Sequence, residues 1–264
     1  MAHTHSIFAG DIVHAPPRVR TIGTADIKDA LARGIDDFAA MPSHAIFLCL
    51  IYPIAGLFMA RLVLGYDVLP LLYPIAAGFA LVGPFAAVGL YELSRRREQG
   101  LDVSWEHAFQ VFRSPSSGAI AALGVLLTII FFIWLAVAQE IYVANFGYVA
   151  AASIPEFLRQ VFTTPEGWTL ILVGNAVGFL FALLVLTISV VSFPLLLDRD
   201  VGAADAILTS VRAVTTNPVP MAVWGLIVAG ALVIGSLPLF FGLTIVMPVL
   251  GHATWHLYRK VVER

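Results

Sequence analysis

Two histidines four residues apart, His252 and His256, are the side chains of this chain best suited by type and spacing to chemistry. An i, i+4 pair lies on one face of a helix, a spacing that can hold a metal ion or present a ligand to haem iron. No cysteine or carboxylate accompanies the pair to complete a ligand set, and the glutamate that lies between the histidines of a zinc-protease helix is missing. Trp255, Tyr258 and Arg259 flank them. Such residues more often anchor a helix at the water interface than serve a metal.

The other candidates are ionisable or polar groups inside apolar sequence. Arg61 and Glu140 fall in or near apolar helices, where a charge is a functional candidate by default. Both sit near predicted outer ends, so they can snorkel to the interface or pair with each other. Asn175, Thr187, Ser189 and Ser192 form a polar strip, a possible solute path or simply helix glue. Gly174 and Gly178 add a small-xxx-small spacing to the same segment. The run Arg95-Arg96-Arg97 reads as a topology anchor that can contact anionic lipid head groups. No phosphate loop, serine elbow or carboxylate pair in a defined setting is present. A catalytic set is therefore not expected, and no cofactor or resident metal is assigned.

These residues need long apolar helices to position them. Of 264 residues, 59% are hydrophobic and 12% charged, against about 25% charged in soluble domains. Apolar runs reach the 18 or so residues that a bilayer demands. The net charge of −2 gives no electrostatic case for nucleic acid. The single cysteine, Cys49, rules out an intrachain disulfide or a CxxC motif. The first twenty residues lack the basic start and apolar core of a secretory signal. They read as a flexible cytoplasmic segment, with residues 21–264 as one integral membrane domain.

Six crossings are the economical reading. They run from about Ala45 to Gly65, Leu69 to Tyr91, Gly118 to Ala138 or beyond, and Trp168 to Leu197. The last two come from Met221 to Tyr258, folded back at Gly235-Ser236-Leu237-Pro238. All but two of the 15 basic residues, Arg61 and Arg159, fall on one side of this arrangement. Both termini are thereby predicted in the cytoplasm.

An internal repeat organises the crossings. Asp29 and Pro42, Asp102 and Pro115, and Asp205 and Pro218 share one spacing, and an apolar run follows each pair. The expected fold is all-α: three units, about 26–93, 99–198 and 202–260, each a cytoplasmic amphipathic helix followed by a transmembrane hairpin. In each unit the aspartate would start the surface helix and the proline stop it. The predicted apolar stripes are Ala32, Ile35 and Phe38; Trp105, Ala108 and Val111; Leu208, Val211 and Val214. The second helix of each hairpin carries a proline, Pro84, Pro194 or Pro248, that should bend it. Between the third and fourth crossings, Ser153-Ile154-Pro155-Glu156 begins an extra amphipathic helix on the outer side, and Thr164-Pro165 starts the next span.

Two stretches resemble a bacterial family of predicted integral membrane proteins, domain of unknown function 2189. Pro248-Val-Leu-Gly-His-Ala-Thr-Trp-His-Leu-Tyr-Arg259 resembles its C-terminal signature. Ser192-Phe-Pro-Leu-Leu-Leu-Asp-Arg-Asp200, with Ala206 and Asn217-Pro218, is similar to its middle motif. The resemblance covers about residues 20 to 260 and implies a multi-pass topology with no established activity. Members are sometimes labelled cytochrome c oxidase subunit I, a label to which two histidines in one span lend no support.

Three functions are expected in order. The first is a non-enzymatic accessory or scaffold factor of the bacterial inner membrane, binding lipid, other membrane proteins or a second copy of itself. The second is a transporter of a small solute or lipid, with kinked helices lining a path. The third is a haem- or metal-binding respiratory accessory using His252 and His256.

Overall fold

The computed structural model describes residues 17–42, 69–148 and 153–263, together with Leu50, Ile54, Gly56, Leu57 and Arg61. The first expected crossing, about 45 to 65, and Cys49 therefore lie essentially outside the described residues. The described chain is helical, with one isolated antiparallel bridge, Val19 to Val262. In order come α1 (Thr24–Ala40), α2 (Leu72–Ala86), α3 (Val88–Glu98) and a 3₁₀ helix (Trp105–Arg113). Then follow α4 (Ser117–Phe146), α5 (Ile154–Thr163), α6 (Pro165–Ser189) and α7 (Ser192–Asp198). The chain ends with α8 (Ala203–Thr216), α9 (Pro218–Ser236) and α10 (Leu243–Val261).

Among the described residues, four helical segments are long and apolar enough to cross a membrane: Leu72–Glu98, Ser117–Phe146, Pro165–Asp198 and Pro218–Ser236. Their outward flanks stay apolar and exposed, as at Val125, Phe132, Leu172, Phe179, Leu226 and Ile234. Such flanks suit hydrocarbon and would be costly in water. α10 is not among the four. Its last turns carry Arg259 and Lys260, and its C-terminal half is buried in protein instead.

Proline explains the two interruptions in the crossing helices. Between α6 and α7 the helix opens at Val190 and Val191, and Val190 is the residue whose carbonyl Pro194 cannot meet with an amide. Between α2 and α3 the break falls at Ala87, three residues after Pro84. Pro248 lies inside α10 without interrupting it.

Local signals place most helix ends. The Ser153 hydroxyl accepts from the Glu156 amide at 3.3 Å to start α5, and Thr164 accepts from the Gly167 amide at 3.0 Å to start α6. Pro42 and Pro115 lie just beyond the ends of α1 and the 3₁₀ helix, and Pro218 opens α9 directly after Asn217 closes α8. The aspartates behave differently from expectation. Asp26, not Asp29, closes the α1 start by accepting from the Gly23 amide at 2.9 Å. Asp29 sits a turn further in, paired with Arg33 and Lys260. Ser104, not Asp102, precedes the 3₁₀ helix as its cap residue. Asp205 lies in the first turn of α8, as its dipole preference predicts.

In the 3₁₀ helix Ala108 and Val111 of the expected stripe are buried, but α1 and α8 turn a different face inward. In α1 the buried residues are Ile27, Ala30, Gly34 and Asp37, whereas Ala32 and Ile35 of the expected stripe are exposed. In α8 they are Ala206, Thr209, Ser210 and Ala213, with Leu208 outside. The small face wins because it allows close backbone approach. A Cβ on Gly34 would lie 2.6 Å from both the Cβ and the amide nitrogen of Ala253 in α10.

The core concentrates at one end of the bundle. Its largest fully buried side chains include Trp224, Trp255, Tyr258, Phe193, Leu90, Leu93 and Leu196. These come from the ends of crossing helices and from α7 and α10, closed over by α1, α8 and the 3₁₀ helix. The termini close the same end, where Arg20 donates its amide to the Val261 carbonyl at 2.7 Å and Glu263 donates to the Arg18 carbonyl at 3.0 Å.

Candidate functional site

α1, α3 and α10 meet around one buried carboxylate. Asp37, on the small-residue face of α1, is 3% exposed. Its Oδ2 accepts from the Ser94 hydroxyl at 2.6 Å and lies 2.8 Å from the His256 Nε2. Arg97 closes an ion pair on Oδ1. Ser94 also lies 2.7 Å from the His252 Nδ1, so one hydroxyl links the aspartate to the second imidazole. The α3 and α10 helices deliver these groups because Ser94 and Arg97 are three apart and His252 and His256 four apart.

Burial pushes the Asp37 carboxyl up, but the bonds from His256, Ser94 and Arg97 and the His256 charge outweigh it and hold the group below its usual range. The carboxylate is thus stabilised in its ionised form by donors from two other helices. An aspartate, a serine and histidines in contact invite comparison with a hydrolase triad. The order of contacts differs, since the serine bonds the aspartate directly and the wrong imidazole nitrogen for a base. Ser94 and His252 are both fully buried, so no substrate atom can reach the hydroxyl. The arrangement is a polar clasp across three helices.

A second network adjoins it. Glu98 accepts from the Trp255 indole at 3.0 Å and from Arg259 at 3.1 Å. Asp198, at the end of α7, accepts from the Tyr258 hydroxyl at 2.6 Å and from Arg259 at 3.2 Å. Trp255 and Tyr258 are therefore core residues held by carboxylates, not interfacial anchors. Asn217 completes the layer, accepting from the Ile22 amide at 2.7 Å and donating to the Arg20 carbonyl at 3.0 Å.

The sequence candidates distribute as follows. His252 and His256 do join one cluster, but with Asp37, Ser94 and Arg97 as company. Among the described residues no three His, Cys, Asp or Glu side chains converge as metal ligands would. Arg61 and Glu140 are exposed, and among the described residues no ion pair joins them. Asn175 donates to the Ile171 carbonyl and accepts from the Tyr73 hydroxyl at 2.7 Å. Thr187 and Ser189 bond the carbonyls of Leu183 and Val185 in their own helix, and Ser192 at the start of α7 donates to the carbonyls of Ile188 in α6 and Ala206 in α8. The three arginines separate, with Arg97 turned to Asp37 while Arg95 and Arg96 reach Glu92. Sequence reasoning missed Asp37 and Ser94. The nearest signal was the polar Asp37 recurring three residues after Gly34 on the small face of α1.

Neither any curated protein nor any solved structure matches the chain. The family described as predicted integral membrane protein, DUF2189, matches residues 72–198. That span includes most of the Ser192–Asp200 motif and leaves the Pro248–Arg259 stretch outside it. It carries three of the four membrane-length segments, and the chain is an integral membrane protein with several apolar helices.

Proposed function

We propose that the protein is a non-enzymatic accessory or scaffold factor of the bacterial inner membrane, engaging lipid or other membrane proteins. The observation that carries the reading is where its polar groups go. Hydroxyls and amides in the crossing helices bond their own or neighbouring helices. At the capped end, Asp37, Glu98 and Asp198 are consumed in the clasp and in the two networks beside it. A transporter needs such groups free to meet a solute at mid-membrane.

The finer topology belongs to the same proposal: six crossings in three units, with both termini cytoplasmic. The paired terminal segments support it, as does the basic character of the end they close. The interruptions in Leu72–Glu98 and Pro165–Asp198 favour transport as the second reading, since broken helices often frame solute sites. Their surroundings speak for packing bends instead, because Val88, Leu90, Val191 and Phe193 beside the breaks are buried and apolar.

Cross-linked capture from native membranes tests the leading reading, with a reproducible membrane partner as the expected result. Saturable uptake by reconstituted vesicles, or turnover by the purified protein, would overturn it. An absorbance scan and elemental analysis address the haem or metal alternative, for which a Soret band or stoichiometric metal would be needed.

A further inference from the structure

We propose that a cleft at the capped end of the bundle binds a phosphate ester, with the head group of an anionic phospholipid as its natural source. The cleft has a volume of about 340 Å³ and is lined by Arg95, Arg96, Arg199, Gln110, Ser114 and Ser116, among others. Three membrane-length segments meet there: Leu72–Glu98 and Pro165–Asp198 end beside it, and Ser117–Phe146 begins beside it. The site therefore lies at the level where head groups begin.

The donors in this cleft exceed the acceptors that answer them. The Arg95 Nε is buried and has no hydrogen-bond partner among the described residues, although its Nη1 donates to Glu92 at 2.9 Å. Arg96 donates its Nε to the Asp102 backbone carbonyl at 2.8 Å and lies 3.9 Å from Glu92, and Arg199 donates to the Glu263 carbonyl and lies 3.9 Å from Asp198, so both keep guanidinium N–H groups beyond these loose ion pairs. The lining also holds carboxylates. Glu92 is shared between Arg95 and Arg96, Asp198 is already bound by Arg259 from outside the lining, and Asp200 lies exposed at the rim. Three arginines thus face three carboxylates, and what remains is guanidinium N–H groups beyond those pairs, the Arg95 Nε first, with two serine hydroxyls and the first turn of α4, a set that matches phosphate oxygens. Phe109 and Phe112 on the adjoining 3₁₀ helix are exposed and offer acyl chains an apolar ledge.

This inference deepens the lipid-binding side of the proposed function, and it can fail while partner capture succeeds, or succeed while capture fails. The test uses the full chain in neutral detergent after extraction from vesicles of phosphatidylcholine with phosphatidylglycerol. Native mass spectrometry counts retained lipid, and calorimetry with glycerol 3-phosphate in the same detergent probes the water-soluble source. Wild type should retain about one phosphatidylglycerol per chain. Glu92→Gln with Arg95→Gln, a neutral replacement of the pair, should lower retention about tenfold or more, the loss of one charge-assisted contact. Arg96→Gln, which gives up an exposed bond to the Asp102 carbonyl and a 3.9 Å ion pair with Glu92, runs in parallel in case the double variant does not fold. Arg113→Gln, basic and exposed outside the lining, should leave retention unchanged. Saturable glycerol 3-phosphate binding without lipid retention would keep the phosphate site and move its source to water. Retention undiminished in both folded variants, or no binding of either probe to wild type, overturns the proposal.

Discussion

Removing the Asp37 carboxylate should loosen the docking of α1 on α10 more than any surface change of similar size. Asp37→Ala deletes the acceptor of three donors from two helices and leaves Ser94 and His252 buried without it. Breaking a buried ion pair costs about 3–5 kcal/mol. The lower end applies here, because Arg97 is 42% exposed and can return to water. For a chain of this size about 2 °C of melting temperature follows each kcal/mol, so a fall of roughly 6 °C is expected. Asp37→Asn, which keeps an acceptor but not the charge, should lose less. Acid supplies a second axis. The folded carboxyl titrates below its unfolded range, so its stabilisation is present above the unfolded value, about 3.9, and is lost as pH falls through the lower folded value. The acid limb of stability should therefore be shallower in Asp37→Asn than in wild type. Melting in detergent from pH 7 down to pH 3 measures both effects. A fall within about 1 °C for Asp37→Ala, or identical acid limbs, would refute the clasp.

Three further outcomes can be checked with the same preparations. Gly34→Ala should destabilise by about 1–3 kcal/mol, since the new methyl meets the backbone of Ala253 and the helices must part; chemical unfolding would show it, and a neutral result would mean that α1 does not pack there. Asn217→Ala should cost about 1–3 kcal/mol and speed proteolysis at Arg18 or Arg20, because the Ile22 amide and Arg20 carbonyl lose their partner. Glu156→Gln in α5 should leave the melting temperature unmoved even though Arg159, first of all, and Gln160 hold that carboxyl down to about 2. The pair is exposed to solvent, and screened surface pairs contribute little.

Sequence alone revealed the helices wherever the signal was local. Ser153 and Thr164 announced α5 and α6, Pro194 the break before α7, and Gly235 to Pro238 the turn between α9 and α10, which the chain makes over residues 237–242. The inward faces were hidden, because an apolar stripe such as Ala32 and Ile35 looks like a core face when the surrounding medium is taken as water. In a membrane protein the smallest residues mark the packing surface instead. The clasp was hidden by chain distance. His252 and His256 were visible as a pair, but their carboxylate stands 219 positions before His256 and resembles an ordinary surface aspartate beside Asp36. Nothing local distinguishes it from Asp29, which does face outward to lysine and arginine.

The bridge between Val19 and Val262 sets a timetable for biosynthesis. The helix that α1 must dock against and both imidazoles are translated long after it, His256 219 positions beyond Asp37. At about 5–20 residues per second, roughly ten to forty seconds separate the two. Throughout that delay the nascent chain carries an undocked aspartate and a bare glycine face, so assembly of this end must wait until α10 has been made, and truncation ahead of His252 would orphan α1.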